Sequence, residues 1–176
     1  GLKIHILTNN RTELVTQLEK AAQEKIGSSS VRFEKWGDAT RAPDLAAILE
    51  KHAGYEGDLV VVTTIQSFNA ALRKKTESEG VQNFKHQVAS FMYDEAHHLG
   101  APQTQEVLDW LNTESKDRSH DLYVFGVTAT PLHAKVNVKE LFANVFYAGL
   151  DDAATFKAGN RQERELSDIF IQLDRL

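Results

Sequence analysis

The apolar positions fall in short blocks, and their spacing switches regularly between period two and period three to four. "KIHILT" at 3–8 reads as a strand. "NNRTELVTQLEKAAQEKIG" at 9–27 then reads as a helix. Leu14, Leu18 and Ala22 share one face with Val15 beside them, and Gly27 stops it. Asn10 is placed to cap this helix, with Glu13 as the reciprocal partner. "VRFEKW" at 31–36 is a short strand, and "APDLAAILEKHAG" at 42–54 a helix between Pro43 and Gly54. "DLVVVTT" at 58–64 is a β-branched strand, "IQSFNAALRKK" at 65–75 a helix and "TESEGVQNFKH" at 76–86 a polar loop. "VASFMYDE" at 88–95 is a buried strand, "PQTQEVLDWLNT" at 102–113 a helix, and "LYVFGVTAT" at 122–130 the last clear strand. From "VNVKELF" at 136–142 onward the spacing favours helix. The segment 161–176 carries Leu166, Ile169, Phe170 and Leu173 on one side of an amphipathic helix.

Strands alternate with helices, and the strands are apolar on both faces. That combination predicts an α/β fold, a mostly parallel sheet with helices on both faces. No internal repeat or low-complexity linker interrupts it. The expected organisation is one lobe over 1–160, with the amphipathic helix at 161–176 belonging to it.

Composition narrows the picture only slightly. The 176 residues suffice for one domain with a real core, and 41% hydrophobic with 26% charged is ordinary for a globular chain. The net charge of −5 argues against a free-standing polyanion binder. It leaves room for contacts through backbone amides, hydroxyls and helix N-termini. There is no cysteine, so disulfides and thiolate metal sites are excluded. The chain shows no membrane-length apolar run and no signal peptide, and the expected location is the cytoplasm.

Chemistry concentrates at strand ends, where open α/β sheets bind ligands. The first strand ends in Thr8, Asn9, Asn10 and Arg11; the third in Thr63 and Thr64; the fourth in Asp94, Glu95, Ala96 and His97; the fifth in Thr128, Ala129 and Thr130. Asp94 can hold Mg²⁺ through hard oxygen atoms. Glu95 can orient or deprotonate a water that attacks a phosphate. Ala96 keeps the turn slim, and His97 can reach toward Thr128 or Thr130. Plainer roles exist for the same residues. Two acids suit a solvated turn or helix start, and paired threonines suit any strand. His5, His52, His86, His120 and His133 are scattered and read as packing or surface residues.

"DEAH" at 94–97, followed by "GVTATP" at 126–131, resembles motifs II and III of the DEAD/DEAH-box ATPases of helicase superfamily two. "LVVVTTIQSF" is similar to a nucleic-acid-contacting segment of the restriction-enzyme and repair-type members. "ILTNNRTELVTQ" is similar to motif Ia, and "LFANVFYAGLDDAATFKAG" to the stretch closing the first motor lobe. The resemblance spans residues 3–159. It implies a RecA-like three-layer sandwich that hydrolyses Mg-ATP and moves on nucleic acid, DNA rather than RNA. It implies that Asp94 coordinates Mg²⁺, Glu95 is the catalytic base and His97 couples nucleotide to the partner lobe. Thr128 and Thr130 would link hydrolysis to movement. Thr8, Asn9, Arg11, Thr63 and Thr64 would touch the nucleic-acid backbone.

One family element has no counterpart. No G-x-x-x-x-G-K-[ST] string occurs, and "EKIGSSS" at 24–30 has its lysine before the glycine and follows a helix. The expectation is a piece of a larger motor, with the P-loop and the second RecA-like lobe outside it. A binding module that keeps the lobe without catalysis is the alternative. A metal-dependent hydrolase built on Asp94, Glu95 and His97 is the third reading. In this fold the P-loop strand lies beside the motif III strand, so its absence exposes an apolar edge. The helix at 161–173 or a second copy of the chain is expected to cover it.

Overall fold

Alternating burial defines β1, Lys3–Asn9, whose Ile4 and Ile6 are fully buried. The structure is a computed structural model. It describes residues 1–27, 30–36, 44–74, 78–98, 101–113 and 121–128, and as backbone only the strands within 132–133, 136–137, 144–147 and 169–173. After β1 come α1 (Thr12–Ile26), β2 (Val31–Trp36), α2 (Leu45–Lys51), β3 (Asp58–Thr64) and α3 (Ile65–Lys74). Then follow α4 (Glu79–Gln87), β4 (Val88–Asp94), α5 (Pro102–Asn112) and β5 (Tyr123–Thr128). The short strands β6 (Leu132–His133) and β7 (Val136–Asn137) pair with each other, and β8 (Asn144–Tyr147) and β9 (Ile169–Leu173) complete the described elements.

The main sheet has the order β2-β3-β1-β4-β5-β9-β8. Its first five strands are all parallel, as runs apolar on both faces require. Helices α2 to α5 cover one face, where Ile4, Ile6, Leu59, Val61, Phe91 and Val124 meet Leu45, Val81, Val107 and Leu111. Helix α1 lies on the other face, with Val15 against Val60 and Val62. This is the RecA-like α/β arrangement that the resemblance implied.

Phe68 of α3 is the centre of the larger core. Its ring lies 6.2 Å from Trp36, 6.5 Å from Phe84, 6.3 Å from Phe91 and 6.0 Å from Trp110. These separations and the tilted or offset geometries suit aromatic quadrupoles. Trp36 and Trp110 are therefore packing residues.

Four sequence expectations are corrected. Residues 79–87 form helix α4 rather than a polar loop, opened by Ser78, whose hydroxyl accepts from Val81 N. The backbone at 136–137 and 144–147 is strand, not helix. The N-cap of α1 is Arg11, not Asn10, and no side chain caps it. Finally, 169–173 is strand β9 rather than the end of an amphipathic helix. β9 pairs antiparallel with β5, from Val124↔Leu173 to Thr128↔Ile169. The segment expected to cover the edge beyond β5 does so, but by ladder pairing. An open strand edge presents unpaired N–H and C=O groups, which a helix cannot satisfy and a strand can.

Candidate functional site

The C-terminal edge of the parallel strands gathers Asn9, Thr64, Asp94 and Thr128, the last residues of β1, β3, β4 and β5. Strand order puts β1 against β4, with Thr8 opposite Tyr93, so Asn9 and Asp94 come next to each other. The Asn9 amide donates from Nδ2 to Asp94 Oδ2 at 2.7 Å. Asp94 Oδ1 accepts from Glu95 N at 3.0 Å. Each carboxylate oxygen keeps further lone-pair capacity, since an ionised carboxylate has about four acceptor sites.

Glu95 has φ of 64°, the left-handed region that a residue with a Cβ enters only at a cost. It is the one described non-glycine residue there. The chain then turns through a short 3-10 segment, Ala96–His98, held by His98 N donating to Glu95 O. Ala96 is fully buried, so a larger side chain would collide with the core. His97 lies in this turn, which runs beside β5; its side chain falls outside the described residues, as do Ala129 and Thr130. Beneath the turn, burial pushes the Tyr93 phenol above its usual range. The nearby Thr104 hydroxyl works against that rise, and the Glu95 and Asp94 charges add to it. Tyr93 thus stays a neutral phenol under the two acids.

The residues expected to touch nucleic acid divide into two groups. Thr8, Asn9, Thr63 and Thr64 are all buried. Thr8 Oγ donates to Met92 O at 2.9 Å. Thr63 Oγ donates to Thr64 O at 3.1 Å. Thr64 Oγ accepts from Ser67 N at 3.1 Å and so caps the start of α3. Their polar groups hold strand ends and helix starts in place.

Arg11, by contrast, is exposed at the start of α1, and its backbone N donates to Asn9 Oδ1 at 2.9 Å. Gln66 is exposed nearby and donates to Asn10 O at 3.4 Å. An open depression is lined by Asn10, Arg11, Thr12, Glu13 and Leu14. Gln66 belongs to the third polar strand end, just past Thr63 and Thr64. Its place, two residues into α3 and beside the first loop, follows from β1 and β3 being neighbours.

Thr128 is buried at the end of β5, opposite Ile169. Of the scattered histidines, His5 bridges Ser90 Oγ at 2.8 Å and Asp58 Oδ1 at 2.9 Å. His52 is buried against Glu34 at 2.8 Å. Both are packing groups, away from the strand ends. Among the described residues no group of three His, Asp or Glu side chains is arranged to hold a metal. None of the described helices is long and apolar enough to cross a membrane.

Residues 3–133 match the profile of the family described as "Type III restriction enzyme, res subunit". No curated protein and no solved structure matches the chain.

Proposed function

The chain belongs to the type III restriction enzyme res subunit family, a helicase-like superfamily-two domain, and from that premise we propose that it is the first RecA-like lobe of a nucleic-acid-dependent ATPase. The observation that carries the reading is Asp94. It stands at the end of a central parallel strand with both oxygens fixed by N–H donors, and Glu95 follows directly. Hard, preoriented oxygen atoms suit Mg²⁺, so Asp94 is the residue that would hold it. When bound, Mg²⁺ with ATP supplies charge neutralisation at the phosphates. Glu95 takes or steers the proton of the attacking water. The buried Tyr93 phenol and Ala96 keep the floor of the turn dry and fixed.

The chain's own residues do not supply a phosphate cradle of the G-x-x-x-x-G-K-[ST] kind. ATP hydrolysis therefore needs the P-loop and second lobe from outside these 176 residues. Nucleic acid is DNA in this reading, met at the start of α1 by Arg11, Gln66 and backbone N–H groups. The buried threonines shape that surface from below. His97, Thr128 and Thr130 relay between hydrolysis and movement.

The test is a pair of titrations on the chain. Fluorescence anisotropy with a single-stranded oligonucleotide should show binding that weakens with salt and drops about three- to tenfold in Arg11→Ala. Calorimetry with Mg²⁺ and a slowly hydrolysed ATP analogue should show no measurable affinity. Absence of oligonucleotide binding would overturn the nucleic-acid reading. Micromolar affinity for the analogue would mean that these residues cradle phosphates unaided. A non-catalytic binding module is the second reading, favoured by the missing Walker A string. It predicts oligonucleotide binding that is indifferent to Mg²⁺ and to Asp94→Asn.

A further inference from the structure

We propose that Asn9 is a positioning residue that couples nucleic-acid binding to the metal-binding carboxylate, through the two ends of one side-chain amide. The inference rests on the function proposed above and adds the route by which one ligand would influence the other.

The geometry is specific. Asn9 Oδ1 accepts from Arg11 N at 2.9 Å, and Arg11 is the exposed residue at which α1 begins. Asn9 Nδ2 donates to Asp94 Oδ2 at 2.7 Å. The two amide atoms are attached to the same carbon in one rigid plane, so neither end can shift without the other. Asn9 is fully buried, at 0% exposure, so water cannot replace either partner. A donor or acceptor stranded there would have no partner in place of the bond it lost. No other side chain among the described residues bonds to both the α1 loop and Asp94. Asp94 is held on its second oxygen by its own neighbour, Glu95 N, so the Asn9 bond is the one that ties this carboxylate to another strand.

The consequence is directional. The start of α1 has no side-chain cap, so its position rests on the Asn9 bond, on Gln66 at Asn10 O and on whatever docks there. A phosphate seated against Arg11 fixes the loop. The fixed loop fixes the Asn9 amide, and the amide then holds Asp94 in one orientation. A carboxylate already oriented loses less freedom when it binds a cation. Oligonucleotide therefore raises Mg²⁺ affinity, and by reciprocity Mg²⁺ raises oligonucleotide affinity by the same factor.

The experiment is an NMR titration of the full ¹⁵N-labelled chain with Mg²⁺, with and without a saturating single-stranded oligonucleotide. The Asn9 side-chain amide and the Glu95 backbone amide are the reporters. The expected result is that both resonances respond to either ligand and that Mg²⁺ affinity rises about fivefold or more with oligonucleotide present. In Asn9→Ala the ratio of Mg²⁺ affinities with and without oligonucleotide should fall to about one, whatever each ligand's affinity alone. An unchanged or lowered Mg²⁺ affinity in the wild-type chain overturns the coupling, and this arm needs no variant to fold. Equal enhancement in wild type and Asn9→Ala overturns Asn9 as the route while leaving the motor reading intact. Failure of the wild-type chain to bind oligonucleotide at all overturns both.

Discussion

Glu95, proposed above as the base, carries a backbone cost. Its φ of 64° places a Cβ where left-handed geometry opposes it by roughly 1–2 kcal/mol. Strain of this kind collects where the surrounding structure fixes a side chain for a task. Glu95→Gly should leave urea stability equal or raised by up to about 1 kcal/mol, because glycine enters this region freely. Glu95→Val should lower stability by about 1–2 kcal/mol, since a β-branched residue fits it worst. Equal stabilities for the two variants would contradict the strain account. The position of Glu95 at a strand end was legible in "FMYDEAHH" because the apolar run stops there. The Asn9–Asp94 bond was not legible. It depends on β1 and β4 being neighbours, and the two residues are far apart along the chain.

Elements show the same division between local and global signals. Continuous β-branched runs such as "DLVVVTT" announced their strands, since burial on both faces needs no context to be read. Helix α4 was missed because Glu79–Gln87 is mostly polar, although Ser78, Val81 and Phe84 carried a cap and an i, i+3 pair. The close approach of α4 to α2 leaves no room at Gly80, where an added Cβ would overlap Ala46. Gly80→Ala should therefore destabilise by about 1–3 kcal/mol despite better helix propensity, measurable as a lower urea midpoint. Phe68→Ala, at the aromatic centre, should cost about 3–5 kcal/mol. Between β2 and α2, Glu34 is hydrogen-bonded by Lys51 and His52. Burial raises its pKa, but those two partners outweigh burial and hold its carboxyl below the usual glutamate range. The folded value lies under the unfolded one, so this tie is complete above the ordinary range and is lost as pH falls through the lowered value. Between about pH 5 and about pH 3, urea midpoints should fall less steeply in Glu34→Gln than in the wild-type chain.

At the scale of the molecule, β9 resolves the problem of the open edge in a way the sequence could not announce. Leu166, Ile169, Phe170 and Leu173 suit a helix by spacing, while Ile-Phe-Ile suits a strand by type. The deciding fact is the vacant flank of β5, which only the strand order exposes. Ile171 pairs with Gly126, and β9 is flanked by β5 and β8, so Ile171→Pro should break the ladder on an interior strand. Loss of solubility or a clearly lower melting temperature is expected, and an unchanged melting curve would count against the pairing.

Strand order also sets a timetable. β1 precedes β3 and β4 along the chain but lies between them, so during synthesis it waits for both neighbours. The second of them, β4, ends in Asp94. A nascent chain halted at Gln87 has β1 with one flank bare and no acid to receive the Asn9 amide. Closing the centre of the sheet and bringing the carboxylate proposed to hold Mg²⁺ up to the Asn9 amide are thus a single event during synthesis.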